Sequence, residues 1–238
     1  MKYVIHKASE RGIAEFGWLH SRHSFSFGEY YNPKKMGFGL LRVLNDDIIE
    51  AGEGFGTHPH NNMEIISIPL EGALEHKDSM GTGSVIKAGE IQVMSAGTGI
   101  THSEFNPSKV EDGKFLQLWI IPKERNIKPR YDQKRFNFDN LKNETITLVT
   151  GNKSESTLYI HQNAAVSFGK LDKENKLIYK NLYKGNGAYL FVLEGSINFE
   201  NNELGKRDAV GIFETDEFTI IASSNASFLI VEVPMSIN

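Results

Sequence analysis

Short apolar or alternating runs recur along the whole chain, separated by glycine-rich turn signals. Their length and their content of branched and aromatic residues are typical of β-strands. The even spacing favours a sandwich or a barrel over alternating βαβ units, and only residues 137–141 could form a turn or two of helix. The predicted strands include Gly39–Val43, Glu64–Pro69, Ile91–Met94, Phe115–Ile121, Thr145–Val149, Tyr189–Leu193 and Phe228–Val233.

A faint internal repeat organises these strands into two halves. Leu70–Leu74 is echoed by Leu193–Ile197, and each segment follows an apolar run and is expected to open a hairpin. Lys87–Ile91 and Lys206–Val210 follow at nearly matching offsets. A repeat distance of about 120 residues is the size of a small barrel, so the repeat predicts two tandem β-domains.

The predicted fold is therefore all-β, with two tandem jelly-roll β-barrels. The boundary is expected within the polar stretch Pro122–Asn143, which gives an N-terminal barrel over residues 1–135 and a C-terminal barrel over residues 136–238. A closed barrel would protect the strand edges and could enclose a site.

Charge and composition narrow the classes of function. The 26 basic and 30 acidic side chains give a net charge of −4, which does not indicate a nucleic acid or an anionic membrane as partner. Cysteine is absent, so disulfides, thiolate ligands and cysteine nucleophiles are excluded. We find no apolar leader segment and no apolar run long enough to span a membrane, and we expect a soluble, cytoplasmic protein.

Two histidine-containing motifs carry the candidate chemistry. His58 and His60 form one i, i+2 pair, and His102 and Glu104 form another. On β-strands such pairs point to one face, so two antiparallel strands could bring all four side chains to one point. Three imidazoles and a carboxylate suit a divalent ion such as iron, manganese, copper or nickel, with positions left for water, oxygen or substrate.

The remaining histidines are expected to be ordinary surface or core residues. These are His6, His20, His23, His76 and His161. No histidine follows His161, so the second barrel could not rebuild the metal site, and we expect it to support or close the first. Zinc-type hydrolysis is disfavoured, because such sites usually use three protein ligands and an activated water.

Several motifs resemble the pirin family of the cupin superfamily. The resemblance covers about the first 120 residues with order and spacing intact, and pirins are built as two tandem β-barrels, a bicupin. The matching segments are His23–Gly28, Phe55–Glu64, Leu70–Gly72, His76–Ser79, Gly89–Glu104 and Leu116–Trp119.

The resemblance implies a single metal ion held by His58, His60, His102 and Glu104, the four residues that the spacing also selects. It implies one divalent ion, in the first place Fe(II), with Mn, Cu, Ni, Co and Zn as alternatives. Pirins commonly carry an arginine and a glycine or aspartate after the His-Pro-His motif. This chain instead has Asn61-Asn62, a difference expected to affect the pocket rim or the surroundings of the ligands.

The activity implied is that of the bacterial, quercetin 2,3-dioxygenase-like pirins. Such an enzyme would open the ring of a flavonol-like substrate with dioxygen, and Glu104 is the expected catalytic base. The alternative belongs to another class: a metal-containing, redox-responsive binding or regulatory protein with a protein partner and no dedicated catalytic role. Loss of activity on replacement of Glu104 would favour the enzyme, whereas partner binding that depends on the metal's oxidation state would favour the regulator.

Three further residues are candidates for the surroundings of the metal. Glu64 lies four residues beyond His60 and is expected on the same strand face, where it would have a structural role or orient an imidazole through its distal nitrogen. Glutamate near this position ligates the metal in many cupins, but in pirins the ligand is the later glutamate, here Glu104. Gln117 and Trp119 are two residues apart on one predicted strand and are the best candidates to line the pocket.

Overall fold

The structure, a computed structural model, describes residues 1–236 as strands joined by turns, with one 3₁₀ turn at Ala8–Glu10. The strands are β1 (Lys2–His6), β2 (Gly12–Glu15), β3 (Leu19–His23), β4 (Leu41–Ile49), β5 (Gly54–His60), β6 (Glu64–Glu71), β7 (Ala73–Asp78), β8 (Gly83–Lys87), β9 (Glu90–Ser95), β10 (Ile100–Phe105), β11 (Gly113–Ile120), β12 (Arg130–Arg135), β13 (Glu144–Thr150), β14 (Leu158–Tyr159), β15 (Ala165–Leu171), β16 (Lys176–Lys180), β17 (Gly187–Glu194), β18 (Ile197–Phe199), β19 (Asn202–Leu204), β20 (Ala209–Phe213), β21 (Glu217–Ala222) and β22 (Ala226–Val233).

Each half of the chain builds one large and one small sheet. The N-terminal half has a seven-stranded sheet of order β12-β9-β6-β11-β4-β3-β2 and a four-stranded sheet of order β5-β10-β7-β8. The C-terminal half repeats this layout with β1-β20-β17-β22-β15-β13-β14 and β16-β21-β18-β19. The predicted all-β class with two domains of like architecture is confirmed. None of the helical structure in residues 1–236 has the length and apolarity needed to cross a membrane.

The change from one pair of sheets to the other falls between β12, which ends at Arg135, and β13, which begins at Glu144. The first strand is the exception to this division. β1 pairs antiparallel with β20, so Lys2–His6 lies in the large sheet of the C-terminal domain. His6 Nδ1 is 3.0 Å from the Tyr189 hydroxyl, which further joins the N-terminus to that domain.

One local prediction was wrong. The repeated Leu-Glu-Gly segments do not open hairpins, because Gly72 and Gly195 carry the chain from the large sheet to the small sheet of each domain. Both glycines have positive φ angles, 72° and 74°, which explains the residue type at these corners. The segment 137–141 forms a turn and no helix.

The alternation of side chains along β11 separates the two environments on either side of its sheet. Leu116, Leu118 and Ile120 face the large apolar core that the two domains share. Gln117 and Trp119 point the other way, into the N-terminal barrel. The strand therefore contributes to domain packing with one face and to the candidate site with the other.

The interior of the C-terminal barrel is filled by apolar side chains. Phe199, Phe218, Phe228 and Ile230 belong to one buried cluster there. Their neighbours on the opposite strand faces, such as Leu229, join the core between the domains. The packed interior supports the second barrel's expected structural role.

Phe38 makes a testable contribution to the packing between the domains. It is 5% exposed and packs at 5.5 Å from Tyr189, between ring centroids. A Cβ atom at Gly211 would lie 2.5 Å from the Phe38 ring, so glycine at this strand position makes room for it. We expect Phe38→Ala to lower the free energy of unfolding by about 3–5 kcal/mol, measured by denaturant titration.

The matched control is Val110→Ala, because Val110 is 87% exposed. This change should alter the free energy of unfolding by less than about 0.5 kcal/mol. A loss below about 1 kcal/mol for Phe38→Ala would show that the ring is not a structural contact between the domains.

Candidate metal centre

Strand β10 brings the candidate ligands together because it lies between β5 and β7. His102 is directly opposite His58 on β5 and opposite Asp78 on β7. The β5 and β10 strands are antiparallel, the arrangement that the two motifs led us to expect. The register shifts between His102 and Glu104, where the β5 pairing is irregular.

Three imidazoles form a compact cluster suited to a metal ion. Ligand nitrogens of His58, His60 and His102 lie within 4.8 Å of one another. The Nε2 atoms of His60 and His102 are buried and have no hydrogen-bond partner among residues 1–236. Buried nitrogens that converge without a partner are expected where a metal ion supplies the missing interaction. The cluster could therefore hold a metal.

The electrostatic environment keeps two of these imidazoles neutral. Burial, together with the neighbouring His102 and His58, lowers the pKa of His60 to about 4. Burial and the neighbouring His58 and His76 lower the pKa of His102 to about 3. Both side chains are therefore uncharged near pH 7, which is the form that offers a lone pair to a metal.

Hydrogen bonds on the far side of the rings fix their orientation. His58 Nδ1 donates to the carbonyl of Gly56 at 2.8 Å, so its Nε2 is left for a ligand role. His102 Nδ1 lies 3.4 Å from His76 Nδ1, and His76 Nε2 lies 3.0 Å from the Asp78 carboxylate. Since Asp78 accepts from His76 Nε2–H, His76 Nδ1 accepts from His102, and His102 Nε2 carries the free lone pair.

Asp78 is itself firmly held at the end of this chain of hydrogen bonds. Its Oδ1 accepts from the backbone N–H groups of Met80 and Thr82 at 2.9 and 3.0 Å. Burial opposes its ionisation, but the hydrogen bond from His76 and those backbone donors outweigh burial and lower its pKa. A charged Asp78 is a strong acceptor, which stabilises one tautomer of His76.

His76 is the residue whose role sequence reasoning missed. It is fully buried and close to the site, with ligand atoms within 4.8 Å of those of His102 and Glu104. Both of its nitrogens already have partners, so it serves as a support for His102. The signal was present, because His76 and Asp78 form a third i, i+2 pair beside the two metal motifs.

Replacing His76 with phenylalanine should weaken metal binding without removing a ligand. The ring volume is kept, but His102 loses the acceptor that fixes its tautomer, and we expect the metal affinity to fall about 10- to 100-fold. Competition with a chromophoric chelator measures this change. Lys77→Ala is the control, because Lys77 lies on the opposite strand face. Equal affinities in the His76 variant and the wild type would show that the hydrogen-bond chain does not support the ligand.

Glu104 is 1% exposed and is oriented by two donors. Ser67 Oγ donates to its Oε1 at 3.1 Å, and Gln117 Nε2 donates to its Oε2 at 2.8 Å. Trp119 Nε1 in turn donates to Gln117 Oε1 at 3.1 Å. The two predicted pocket residues thus form a hydrogen-bonded chain that ends on the carboxylate.

A cavity of about 730 Å³ adjoins this centre on the inner face of the N-terminal barrel. His58, His60 and Glu104 form part of its wall. The rest of its wall includes aromatic side chains and buried polar groups. These include Phe27, Tyr30, Phe55 and Trp119 on the aromatic side and Ser21, His23, Asn45, Asp47 and Gln117 on the polar side. The volume and the mixed lining suit a small aromatic ligand.

Glu64 has a different environment from the one expected. It begins β6, whereas His60 ends β5, so the two residues do not share a strand. Its Oε2 accepts a hydrogen bond from Ser95 Oγ at 2.7 Å. Burial raises the pKa of Glu64 to about 7, although the Ser95 hydrogen bond acts in the opposite direction. Its role in orienting an imidazole stays a prediction.

The raised pKa of Glu64 predicts a pH-dependent stability. A carboxyl group that holds its proton more tightly when folded stabilises the protein below pH 4.5, and this contribution is lost as the pH rises through about 7. The Glu64→Gln variant has no ionisable group at this position. Between pH 5 and 8, we expect its free energy of unfolding to rise relative to wild type by up to about 3 kcal/mol.

Urea titrations of both proteins at each pH, after metal removal, measure this difference. Glu75→Gln is the control, because Glu75 is partly exposed and paired with Lys77. Parallel curves for Glu64→Gln and wild type would mean that Glu64 stays ionised in the folded protein.

Each half of the chain matches a protein-family model. The model of the pirin family matches residues 6–120. The model of the quercetinase C-terminal cupin domain matches residues 147–233. The two matches cover the two domains and agree with a bicupin architecture.

Individual relatives and solved structures extend the likeness over nearly the whole chain. The quercetin 2,3-dioxygenase of Escherichia coli K12 is 41% identical over 230 residues, which is 97% of this chain and 98% of that protein. The crystal structure of the bacterial pirin YhhW from Escherichia coli, in complex with nickel(II), has a TM-score of 0.92 at 39% identity and covers 98% of this chain and 99% of its own. The crystal structure of a quercetin 2,3-dioxygenase from Acinetobacter baumannii has a TM-score of 0.78 at 21% identity, and the match covers 97% of this chain and 85% of that chain. This likeness shows the shared fold.

Proposed function

We propose, because this chain belongs to the pirin family of the cupin superfamily, that it is a metal-dependent dioxygenase that opens the ring of a flavonol-like substrate. The observation that carries the proposal is the position of Glu104 and of His58 and His60, two members of the imidazole cluster, in the wall of an aromatic-lined cavity. A site built only to store or sense a metal would not need a cavity of this size beside it.

Four side chains would hold the metal: His58, His60, His102 and Glu104. We propose Fe(II) as the ion, since imidazole and carboxylate ligands with open positions suit non-haem iron. When bound, the ion would supply Lewis acidity toward a substrate hydroxyl and one-electron chemistry with dioxygen. The nickel complex of YhhW supports the choice of a divalent ion in this fold.

The aromatic wall would orient a planar substrate and exclude water. Trp119 packs edge-on against His60 and against Phe27, with ring centroids 4.9 and 5.2 Å apart. Phe55 and Trp18 form a second edge-on pair, with centroids 5.1 Å apart. Rings held in this way pre-shape the cavity, so a flat ligand can bind with little side-chain reordering.

Glu104 would accept the proton of the substrate hydroxyl. Ser67 and Gln117 each use one lone pair of its carboxylate, so a further lone pair on each oxygen is available. The two donors also hold the carboxylate in one orientation, which a positioned base requires. A hydroxyl that loses its proton here becomes the electron-rich form that reacts with dioxygen.

The test is aerobic turnover of quercetin by iron-loaded protein. We expect one dioxygen to be consumed and one carbon monoxide to be released for each flavonol lost. An oxygen electrode, gas analysis and absorbance measure these three quantities in turn. The His58→Ala/His102→Ala variant is the control for free metal. Full metal loading without any flavonol loss would contradict the enzymatic function and would turn attention to a redox-dependent protein partner.

A further inference from the structure

The cavity has a polar side that the proposed reaction at the metal does not use. His23, Asn45 and Asp47 are between 3% and 4% exposed, and all three line the cavity. His23 Nδ1 and Asn45 Oδ1 are fully buried and have no hydrogen-bond partner within residues 1–236. Buried polar atoms are nearly always paired, so these atoms require either ordered water or polar groups of a ligand.

Strand register places these groups at a defined position relative to Glu104. Gln117 on β11 is opposite Asn45 on β4, and Asn45 is opposite His23 on β3. Gln117 contacts Glu104 directly. Because neighbouring strands are about 4.8 Å apart, His23 lies about 10 Å across the sheet from Gln117. Asn45 and His23 therefore extend along the cavity wall from Gln117, and His23 is the farther of the two from Glu104.

The chemistry of the groups indicates what they would bind. Burial, followed by the charge of Arg11, lowers the pKa of His23 to about 4, so its imidazole is neutral. A neutral imidazole keeps one ring nitrogen as an acceptor, and the unpaired Nδ1 is available for this role. Asn45 Oδ1 is also an acceptor. Two unpaired acceptors suit a ligand hydroxyl, which is a donor.

Asp47 adds a group that can both donate and accept a hydrogen bond. Its Oδ1 accepts a hydrogen bond from Ser21, which lies opposite it on β3. Burial raises the pKa of Asp47 to about 7, against the effect of the Ser21 hydrogen bond and with the charges of Asp46 and Glu104 adding to burial. Near neutral pH the carboxyl is partly protonated and can donate or accept.

We propose that His23, Asn45 and Asp47 form a second anchor that binds a phenolic hydroxyl at the end of the substrate remote from the metal centre. The inference rests on the proposed function for the class of substrate and deepens it. Flavonols that carry hydroxyls on their outer rings would be selected over flavonols that carry only the metal-binding hydroxyl. A site that hydrogen-bonds a ligand hydroxyl discriminates strongly against an analogue that lacks it.

The test is the affinity of three flavonols that differ only in ring hydroxyls. 3-Hydroxyflavone has none on either outer ring, galangin has two on the fused ring, and kaempferol has one more on the pendant ring. None carries a catechol that could bind the metal by itself. Dissociation constants are measured by fluorescence titration of nickel-loaded protein under nitrogen, so that no turnover occurs.

We expect at least one of the two steps in this series to tighten binding about tenfold or more, and the step at which this happens identifies the ring that faces the anchor. Asn45→Leu and His23→Phe keep the approximate shape of the side chains and remove the acceptors. In each variant, the ratio of dissociation constants at that step should fall to less than about threefold. Asn198→Leu, at an exposed position on β18 in the other domain, should retain it.

Equal affinities for the three flavonols in the wild type would overturn the inference without the need for any variant, and would mean that ordered water satisfies these atoms. A step that persists in both variants would also overturn it. A retained preference in protein that shows no aerobic turnover would contradict the proposed enzymatic function while supporting the anchor, so the two failures are distinguishable.

Discussion

Replacing His58 and His102 together with alanine should reduce the metal content of the purified protein from about one ion per chain to below about a tenth. The two residues are directly opposite each other on β5 and β10 and supply two of the three clustered imidazoles. His60 would remain with Glu104, a pair too sparse to retain a divalent ion through purification. Mass spectrometry of protein prepared without a histidine tag measures the content.

His161→Ala is the matched control, because it removes a partly exposed imidazole that contacts Tyr159 and lies outside the cluster. Its metal content should equal that of the wild type. Thermal unfolding of each apo-protein shows whether the double variant still folds. A folded double variant that keeps its metal would place the metal site elsewhere in the chain.

The clustering of His58, His60 and His102 could be predicted because the decisive relation is local. The i, i+2 spacing of His58 with His60 puts both side chains on one strand face, whatever the rest of the fold does. The all-β class can be predicted equally well, since the length and composition of runs such as Phe115–Ile121 are by themselves typical of β-strands. In the structure that run becomes β11, Gly113–Ile120.

The contacts between strands around the imidazole cluster could not be predicted, because they depend on which strands become neighbours. Asp78 and His102 are opposite each other only because β7 pairs with β10, and single-sequence patterns do not specify this pairing. His23 and Asn45 likewise meet through the β3–β4 register. The expected hairpins at Gly72 and Gly195 failed for the same reason, since a turn signal does not say which sheet the next strand joins.

The two barrels divide stability and chemistry between them. The first keeps buried polar groups and a cavity, which are costly to maintain. The second fills the corresponding space with aromatic and aliphatic side chains such as Phe228 and Ile230. The shared core, to which Leu116 and Leu229 belong, fastens the first barrel to this packed partner. We infer that the packed barrel compensates for the stability that the site gives up.

Glu104→Gln should separate metal binding from catalysis. The change keeps the shape of the side chain, and the new amide can accept from Gln117 Nε2 and donate to Ser67 Oγ, but the charge and the basic lone pair are lost. The three imidazoles remain, so we expect the protein to retain most of its metal. Without a positioned base, kcat for quercetin should fall about 10²- to 10⁴-fold.

The measurement is initial-rate oxygen uptake, with the metal content of the same samples determined in parallel so that rates are expressed per bound ion. Glu75→Gln is the matched control, because its side chain lies on the opposite face of β7 and pairs with Lys77, away from the cavity. Its kcat should remain within about twofold of wild type.

If Glu104→Gln retained its metal and full turnover, the carboxylate would not be the base. Proton removal would then have to be assigned to another group that faces the cavity, and Asp47 is the one closest to Glu104 in chemistry. If the metal were lost with the activity, Glu104 would instead act chiefly as a ligand. The ratio of lost turnover to lost metal therefore measures how far one carboxylate serves both purposes.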